Sequence, residues 1–504
     1  MSPSVRGRNI RGRTLAVLAG TVVAIGGATV GWRQIPGADD PPPAAGTANL
    51  WVDGVSATCT RSATPVTYEE AASPDARCGS LDQAYDAANL SALASSVIVR
   101  GGTYFSQTIT GNRSSTNRIT FTEAEGESWV NTGNYLVFGV GGNNEEPTQG
   151  PDYITMNGFE MGTFAQDGQN NRYGIAILHG SSNITIENFT NGGWYMNSVF
   201  NIIMQNGISG PCRAAPMAAF GGVPNRCELN KVDGAACQPD ALQPLNEHPD
   251  CHNNENITYD GIEFFGYDIG PGCIEQAISG PDGCHHRAMF VTLVDGFTLR
   301  NSTFHDNVFS PWTSRSGAPV GTDPHNDFLI ENNQFGTGAP GCPGASCSGG
   351  LEIGWCTLGT PQPTYTNITI RFNSFAGDAS LNLPGWYSGE ASCTVSNFKV
   401  YGNILGSRPN CTTSGVDWAY NVYAEGTITC DATDVAMNGS GMPFYTNDTN
   451  LPHFGDFELT GAAFAADDLV PSDDPTYPCP TFDIQGNLRP SGIGLECDAG
   501  AYER

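Results

Sequence analysis

Apolar and polar positions alternate in short runs along this chain, and the runs share one form: apolar, any, apolar, any, a turn residue, two more positions, then a bulky apolar residue. Six runs carry it: Ile154/Met156/Gly158/Met161, Ile257/Tyr259/Gly261/Phe264, Phe297/Leu299/Asn301/Phe304, Phe328/Ile330/Asn332/Phe335, Ile368/Ile370/Phe372/Phe375 and Phe398/Val400/Gly402/Leu405. A seventh, Ile184/Ile186/Asn188, fits less closely, with Phe189 ahead of the final slot. The starts lie 30, 73, 40, 31, 40 and 30 residues apart. A core coil of roughly 30 residues is therefore repeated and lengthened by insertions, which is the signature of a solenoid.

The alternation puts two side chains of each strand on one face, and Asn or Gly at the fifth place suits a bend through the left-handed α region. Coils of this kind stacked at about 4.8 Å form a parallel β-helix, in which Asn residues at equivalent turns bond to one another in ladders. A second strand set is expected ahead of the first, at Gly174 to Leu178, Ala288 to Leu293, Gly350 to Trp355 and Ser380 to Pro384. The unequal spacing favours coils with insertions over the fixed blades of a propeller or the strands of a sandwich. A solenoid grows in one dimension, so 504 residues need no second globular body. One helix is predicted from Ser80 to Asn89, with Leu81, Ala84, Tyr85 and Ala88 at helical spacing to close the first coil.

The chain ahead of the coils has a different character. Arg6, Arg8, Arg11 and Arg13 precede an uncharged run from Thr14 to Trp32, which reads as an export signal or an uncleaved membrane anchor. The expected organisation is 1–35 as signal or anchor, 36–48 as a Pro-rich linker, and 49–504 as the β-helix, with disulfide-rich insertions at 207–255, 266–287 and 336–349. All 16 cysteines lie beyond the leader, which in an exported chain implies disulfides. Short separations suggest Cys59 with Cys78, Cys411 with Cys430, and Cys479 with Cys497.

The formal charge is −29. Without the first 46 residues, 17 basic residues face 49 acidic ones, a formal −32, and Lys231 and Lys399 are the only lysines. Such a surface repels nucleic acid and anionic membranes, which leaves the N-terminal segment as the one membrane contact. It also disfavours polyanionic glycans unless Ca²⁺ bridges the two. Asn183-Ile184-Thr185, Asn256-Ile257-Thr258 and Asn367-Ile368-Thr369 match the glycosylation sequon, but they recur because the coil wants Asn at a turn and Thr on a strand.

Both ends resemble a known family. Leu50-Trp51-Val52-Asp53, Cys78-Gly79-Ser80-Leu81-Asp82-Gln83-Ala84 and Val97 to Tyr104 are similar to the N-terminal cap of bacterial right-handed parallel β-helix repeat proteins of the pectate-lyase-like superfold. Asp483, Gly486, Arg489-Pro490 and Cys497-Asp498-Ala499-Gly500-Ala501-Tyr502-Glu503 resemble the ending of the same proteins. The resemblance implies a right-handed parallel β-helix, closed at both ends and monomeric. It bears little on function, because the superfold hosts polysaccharide lyases, glycoside hydrolases and adhesins alike.

The polygalacturonase constellation of paired aspartates with H-G and R-I-K segments is absent, as is a pectate lyase signature. Position is what remains. If Leu351 and Ile353 face inward, Glu352 faces out; if Leu381 and Leu383 do, so does Asn382, with Thr292 and Ser310 in comparable places on earlier coils. Around them stand His286, Arg287 and Asp306, and the aromatic residues Trp312, Trp355, Trp386 and Tyr387 that suit stacking against sugar rings. A hydrolase would pair Glu352 with Asp306 or Asp323 as acid and base. A lyase would neutralise a uronate with Ca²⁺ or Arg287 while His286 or Arg287 takes the C5 proton. Each residue also has a plainer role: the histidines as loop hydrogen-bonders, Asp306 and Asp327 as turn caps, the indoles as packing. The expectation is an extracellular or cell-surface protein that binds, and in one version cleaves, an extracellular polysaccharide. The competing reading is a non-catalytic surface scaffold or adhesion module.

Overall fold

The computed structural model describes residues 46–503 apart from 74, 105–106, 114, 128, 132–135, 140–149, 161–173, 179, 191–192, 211, 214–229, 234–253, 269–287, 292–293, 306–311, 316–323, 337–349, 356–363, 376–378, 385–393, 407–408, 410, 424–428, 438–465, 467 and 491–495. For Lys231, Asp233, Trp312–Arg315 and Trp355, only the backbone path is described. The leader and most of the linker fall outside these residues. Among the described residues no helix is long and apolar enough to cross a membrane.

The architecture is a parallel β-helix. Among the described residues, two sheets of 19 and 9 strands hold nearly all the strands, and the strands within each pair in parallel. The first apolar position of the repeat forms an unbroken register row, Ile119–Ile154–Ile184–Ile202–Ile257–Phe297–Phe328–Ile368–Phe398–Val416. The second forms another, Val97–Phe121–Met156–Ile186–Met204–Tyr259–Leu299–Ile330–Ile370–Val400–Trp418. Except at Val416, these side chains are buried in one continuous core. Past the bend, Phe264, Phe304, Phe335 and Phe375 stack at centroid distances of 4.5, 5.1 and 4.6 Å. Offset aromatic pairs contribute about 1 kcal/mol beyond the area they bury.

Three coils escape the sequence pattern, the first of them at Ile119/Phe121. Ile202/Met204/Asn206 follows Ile184 after only 18 residues, and Val416/Trp418/Tyr420 follows Phe398 after 18. The apparent 73-residue gap is thus one tight coil and one long one. Within 207–255, expected as an insertion, Lys231–Asp233 is a rung of the nine-stranded sheet.

The fifth place of the repeat does bend through the left-handed region: Gly158, Asn188, Asn206, Gly261, Asn301, Asn332, Phe372, Gly402 and Tyr420 all have φ between 52° and 83°. Asn183, Asn256 and Asn367, the sequon residues, occupy a second left-handed row at the start of the strands, with φ of 53°, 56° and 56°. Their side chains bond outward-facing neighbours: Asn256 Nδ2 donates to Asn201 Oδ1 at 3.0 Å, and Asn367 Nδ2 to Asp327 Oδ1 at 3.0 Å. The recurrence of Asn there is structural, as expected, and Asp327 has the turn role of the plainer reading.

The strongest ladder lies one residue beyond the bend, inside the core. Asn333, Asn373, Asn403 and Asn421 are fully buried, and each of the first three donates Nδ2 to the next Oδ1 at 3.0 Å. Each Oδ1 of Asn373, Asn403 and Asn421 also accepts the backbone N–H of the preceding rung, at 3.0–3.1 Å. The Nδ2 groups reach back to the carbonyls of Leu299, Ile330, Ile370 and Val400. The amides satisfy the backbone N–H groups that follow the bend and give the carbonyls a further bond inside the core. Asp434 ends the ladder, taking Asn421 N and Nδ2 and the Tyr423 hydroxyl.

At the N-terminal end, Leu50–Val52 pairs with Ser95–Val99, and the helix Leu81–Asn89 is capped by Ser80, whose side chain accepts Gln83 N at 3.1 Å. Leu81, Ala84, Tyr85 and Ala88 are buried in the main core. The three expected disulfides, Cys59–Cys78, Cys411–Cys430 and Cys479–Cys497, are present.

The C-terminal ending departs from expectation. Among the described residues it does not cover the last coil edge; residues 479–490 and 496–503 run along the side of the solenoid as a strap. Ala501 N donates to Ser374 Oγ at 2.9 Å, Gly500 N to Gly402 O at 2.8 Å, and Asn332 Nδ2 to Phe482 O at 2.8 Å. Arg489, with no exposed side-chain surface, donates to the carbonyls of Asp498 and Gly500 at 2.8 Å and lies 4.8 Å from the Phe372 ring centroid. Asp483 accepts the backbone N–H groups of Gln485, Asn487 and Glu503. The family-like ending is thus a set of bonds that shape the strap and fasten it to the left-handed bend.

Candidate functional site

The nine-stranded sheet carries four of the residues singled out for chemistry: Trp312, Glu352, Trp355 and Asn382. Its strands pair in chain order: Gln107–Ile109, Leu136–Phe138, Ile175–Leu178, Trp194–Asn197, Lys231–Asp233, Phe290–Val291, Trp312–Arg315, Gly350–Trp355 and Ser380–Asn382. The inward positions are apolar and buried, among them Phe138, Ile177, Met196, Val232, Val291 and Ile353. Alternation then fixes an outward row: Thr108–Val137–Ala176–Tyr195–Lys231–Phe290–Trp312–Glu352–Asn382.

Glu352 and Asn382 are therefore direct neighbours on successive coils, as their alternation with Leu351, Ile353, Leu381 and Leu383 implies. Both are half-buried. Trp312 holds the same register position one coil earlier. The row thus brings together three of the expected residues, at the roughly 4.8 Å spacing of paired strands. Gly350 helps set this register: its φ is +126°, and a Cβ there would stand 2.1 Å from the carbonyl oxygen of Ser380.

Other expectations shift. Beside Trp312 the register places Phe290 and not Thr292 or Ser310, both of which lie outside the described residues. Phe290 is only 7% exposed although it stands on the outward row, so the row is covered at that coil and the accessible stretch is narrower than the sequence suggested. Further back, Tyr195 accepts a hydrogen bond from Asn197 Nδ2 at 2.9 Å and is committed to its own strand. Trp355 stands three residues after Glu352, at a position of the same parity as buried Ile353, which separates its backbone site from the outward row. His286, Arg287, Asp306, Trp386 and Tyr387 lie outside the described residues, as does Asp323. Among the described residues, no group of three or more His, Cys, Asp or Glu side chains is placed to hold a metal ion.

A second charged row, which sequence reasoning missed, lies on the outer face of the larger sheet. Asp260, Arg300, Glu331, Arg371 and Tyr401 share a register position. Arg300 pairs with Asp260 and Arg371 with Glu331, each at 2.7 Å, and Arg371 also donates to the Tyr401 hydroxyl at 2.9 Å. Burial opposes the charge of Arg371, yet the Glu331 carboxylate outweighs it and holds the guanidinium above its ordinary value. The signal was available: each of these residues follows the second apolar residue of its repeat by one place.

No family model matches this chain, and no curated protein matches it in sequence. Among solved structures, it is similar to PfbA, a surface adhesin of Streptococcus pneumoniae, at 14% identity over 69% of this chain and 82% of the adhesin, with a TM-score of 0.43. A second structure of that adhesin gives 13% identity over 71% and 92%, with a TM-score of 0.38. An alginate lyase from Paenibacillus gives 11% identity over 65% and 91%, with a TM-score of 0.29.

Proposed function

We propose that this chain is an exported β-helix protein that holds an extracellular polysaccharide on the outer face of its nine-stranded sheet, at Trp312, Glu352 and Asn382. The in-register neighbourhood of an indole-bearing residue, a carboxylate and an amide on three successive coils carries the reading. A glycan chain lying across the strands would present its hydroxyls to the carboxylate and amide, with Trp312 as the aromatic contributor. The buried residues on either side of Glu352 and Asn382 fix their strands, so the face is formed before the ligand arrives. Net charge selects among glycans: a body at −32 favours neutral chains over uronates. The disulfides suit an oxidising, extracellular setting.

The test is retention of the protein on a panel of immobilised neutral and uronate polysaccharides, with and without Ca²⁺. Glu352→Gln and Asn382→Ala are each expected to weaken retention on a neutral glycan about tenfold, the equivalent of 1.4 kcal/mol. Unchanged retention in both variants would sink the reading. Reducing ends and the ultraviolet absorbance of unsaturated uronates, followed on the same samples, separate the versions in which the glycan is also cut. Reducing ends alone would assign hydrolysis to Glu352 and Asp306, and a rise in both would assign elimination to His286 and Arg287.

A further inference from the structure

Between the strap and the coils it crosses lies a cavity of about 630 Å³ that has no part in the site above. Its floor is the left-handed bend of successive coils, and Ile484, Gln485 and Tyr502 of the strap line it from the other side. Along the bend, Asn188, Asn206, Asn301 and Asn332 carry amide side chains, and Gly261 interrupts them. A Cβ at Gly261 would stand 3.0 Å from Asn206 Oδ1, so a side chain placed there would crowd the Asn206 end of the floor.

The chemistry of the lining narrows the ligand. Asn206, Asn301, Gln334 and Gln485 bring amides, and Thr303 and Tyr502 bring hydroxyls; Gln334 Nε2 donates to the Tyr502 hydroxyl, Asn301 Nδ2 to Asp260 Oδ1 and Asn487 Nδ2 to Gln485 Oε1, which leaves their remaining donor and acceptor positions to a ligand. The charged groups in and beside the cavity are engaged with one another: Asp260 with Arg300 at 2.7 Å, Glu331 with Arg371 at 2.7 Å, and Glu263 with His305 at 3.0 Å. Both arginines are held by carboxylates, so an anionic ligand would have to break a pair to gain a counter-charge, and a cation faces the same barrier. Amides and hydroxyls, each able to donate and accept, match a molecule whose polar groups do both. The walls are also fixed in advance. Asn332 holds Phe482, Ser374 and Gly402 hold the Ala501 and Gly500 backbone, and Cys479–Cys497 closes the strap on itself.

We propose that this cavity is a second ligand site, separate from the nine-stranded sheet, which takes a small uncharged polyhydroxylated molecule such as a neutral disaccharide. A volume in the range of ordinary small-molecule pockets suits that size. The test is saturation-transfer NMR of the full protein with maltose, cellobiose and N,N′-diacetylchitobiose, and with glucuronic acid as the anionic counterpart. Gly261→Asn adds a side chain to the floor at a φ of +65° that Asn206 and Asn301 already adopt in the same row, with the Asn206 side chain shifting by a few tenths of an ångström to admit the new Cβ. At least one neutral disaccharide is expected to bind, with Kd raised about tenfold in Gly261→Asn and about threefold in Gln485→Ala. Gln485 is exposed on a turn of the strap, so its variant decides the question should Gly261→Asn fail to fold. The proposal is overturned by silence from all three disaccharides, by binding that neither cavity variant alters, or by equal binding of glucuronic acid. Binding lost only in Glu352→Gln would instead place the sugar on the nine-stranded sheet and leave that reading standing.

Discussion

Replacing Asn373 by Ala is expected to be among the costliest single changes in the solenoid, and its cost can be worked from the ladder. The Asn373 side chain accepts from Asn333 N and Asn333 Nδ2, and donates to Ile330 O and Asn403 Oδ1, all between 2.9 and 3.0 Å with no exposed surface. Asn333 Nδ2 keeps Leu299 O and Asn403 Oδ1 keeps Asn373 N, so neither is wholly orphaned. Asn333 N–H and Ile330 O lose these bonds inside the core. A buried polar group left unsatisfied costs roughly 1–3 kcal/mol, which puts the change at about 4 kcal/mol with the small cavity added. The control is Asn397→Ala on the exposed outer ladder. It loses one bond of 2.7 Å to Asn367 and places Ala at φ 48°, for a cost of about 1 kcal/mol. Urea unfolding of the two variants, with amide exchange on the rungs around residues 330–421 to localise the loss, separates them. Equal destabilisation, or a cost below about 1 kcal/mol for Asn373→Ala, would refute the claim that buried amides satisfy the bend.

Three further outcomes follow from the packing. Gly350→Ala should lower stability by about 2–4 kcal/mol and uncouple Glu352 from Asn382, because its Cβ would meet the Ser380 carbonyl oxygen at 2.1 Å; thermal unfolding and glycan retention report the two effects. Arg489→Ala should free the strap at a cost of about 3–5 kcal/mol by leaving the Asp498 and Gly500 carbonyls and Glu503 without their guanidinium, seen as faster proteolysis after residue 478 with the earlier coils still protected. Alkaline pH should weaken the fold. Burial pushes the phenol of Tyr85 up to about 12 and those of Tyr104 and Tyr259 up as well, so above pH 10 the unfolded chain binds fewer protons at these sites. Their contribution is complete below pH 10 and is lost as pH rises toward the raised values. Burial lowers Arg489 to about 10, which works in the opposite direction over the same range. A melting temperature that rises steadily from pH 9 to pH 11 would contradict the dominance of the raised phenols over the lowered guanidinium groups of Arg113 and Arg489.

The fold was legible because its coils repeat a two-strand alternation that inserts do not erase. Phe297/Leu299 and Phe328/Ile330 read the same way in sequence and in register. The coils at Ile202 and Val416 were hidden because 18 residues are too few for the roughly 30-residue template, and at the second the bend residue is Tyr420, at φ 55°, where the pattern expects Asn or Gly. Asn ladders were foreseen at the bend itself, but the buried one stands a residue later. There the side chain points into the core, and Asn333, Asn373, Asn403 and Asn421 recur in sequence as a position that ought to be apolar. For the site, alternation sufficed to turn Glu352 and Asn382 outward. It did not suffice to pair Glu352 with Trp312, since a 40-residue separation leaves the register to be set by packing in three dimensions. The ending was recognised by its residues and misplaced, because Asp483, Arg489 and Asp498 show which groups bond locally and not which side of the solenoid they lie against.

The central claim is that the row through Glu352 and Asn382 holds a neutral extracellular glycan. Its most direct measurement is affinity electrophoresis of the wild-type protein and Asn382→Ala through gels containing neutral polysaccharides. Retardation of the wild type by at least one of them, reduced about tenfold in strength by Asn382→Ala with the melting temperature unchanged, is the expected result. Equal migration of the two proteins in every gel would contradict it.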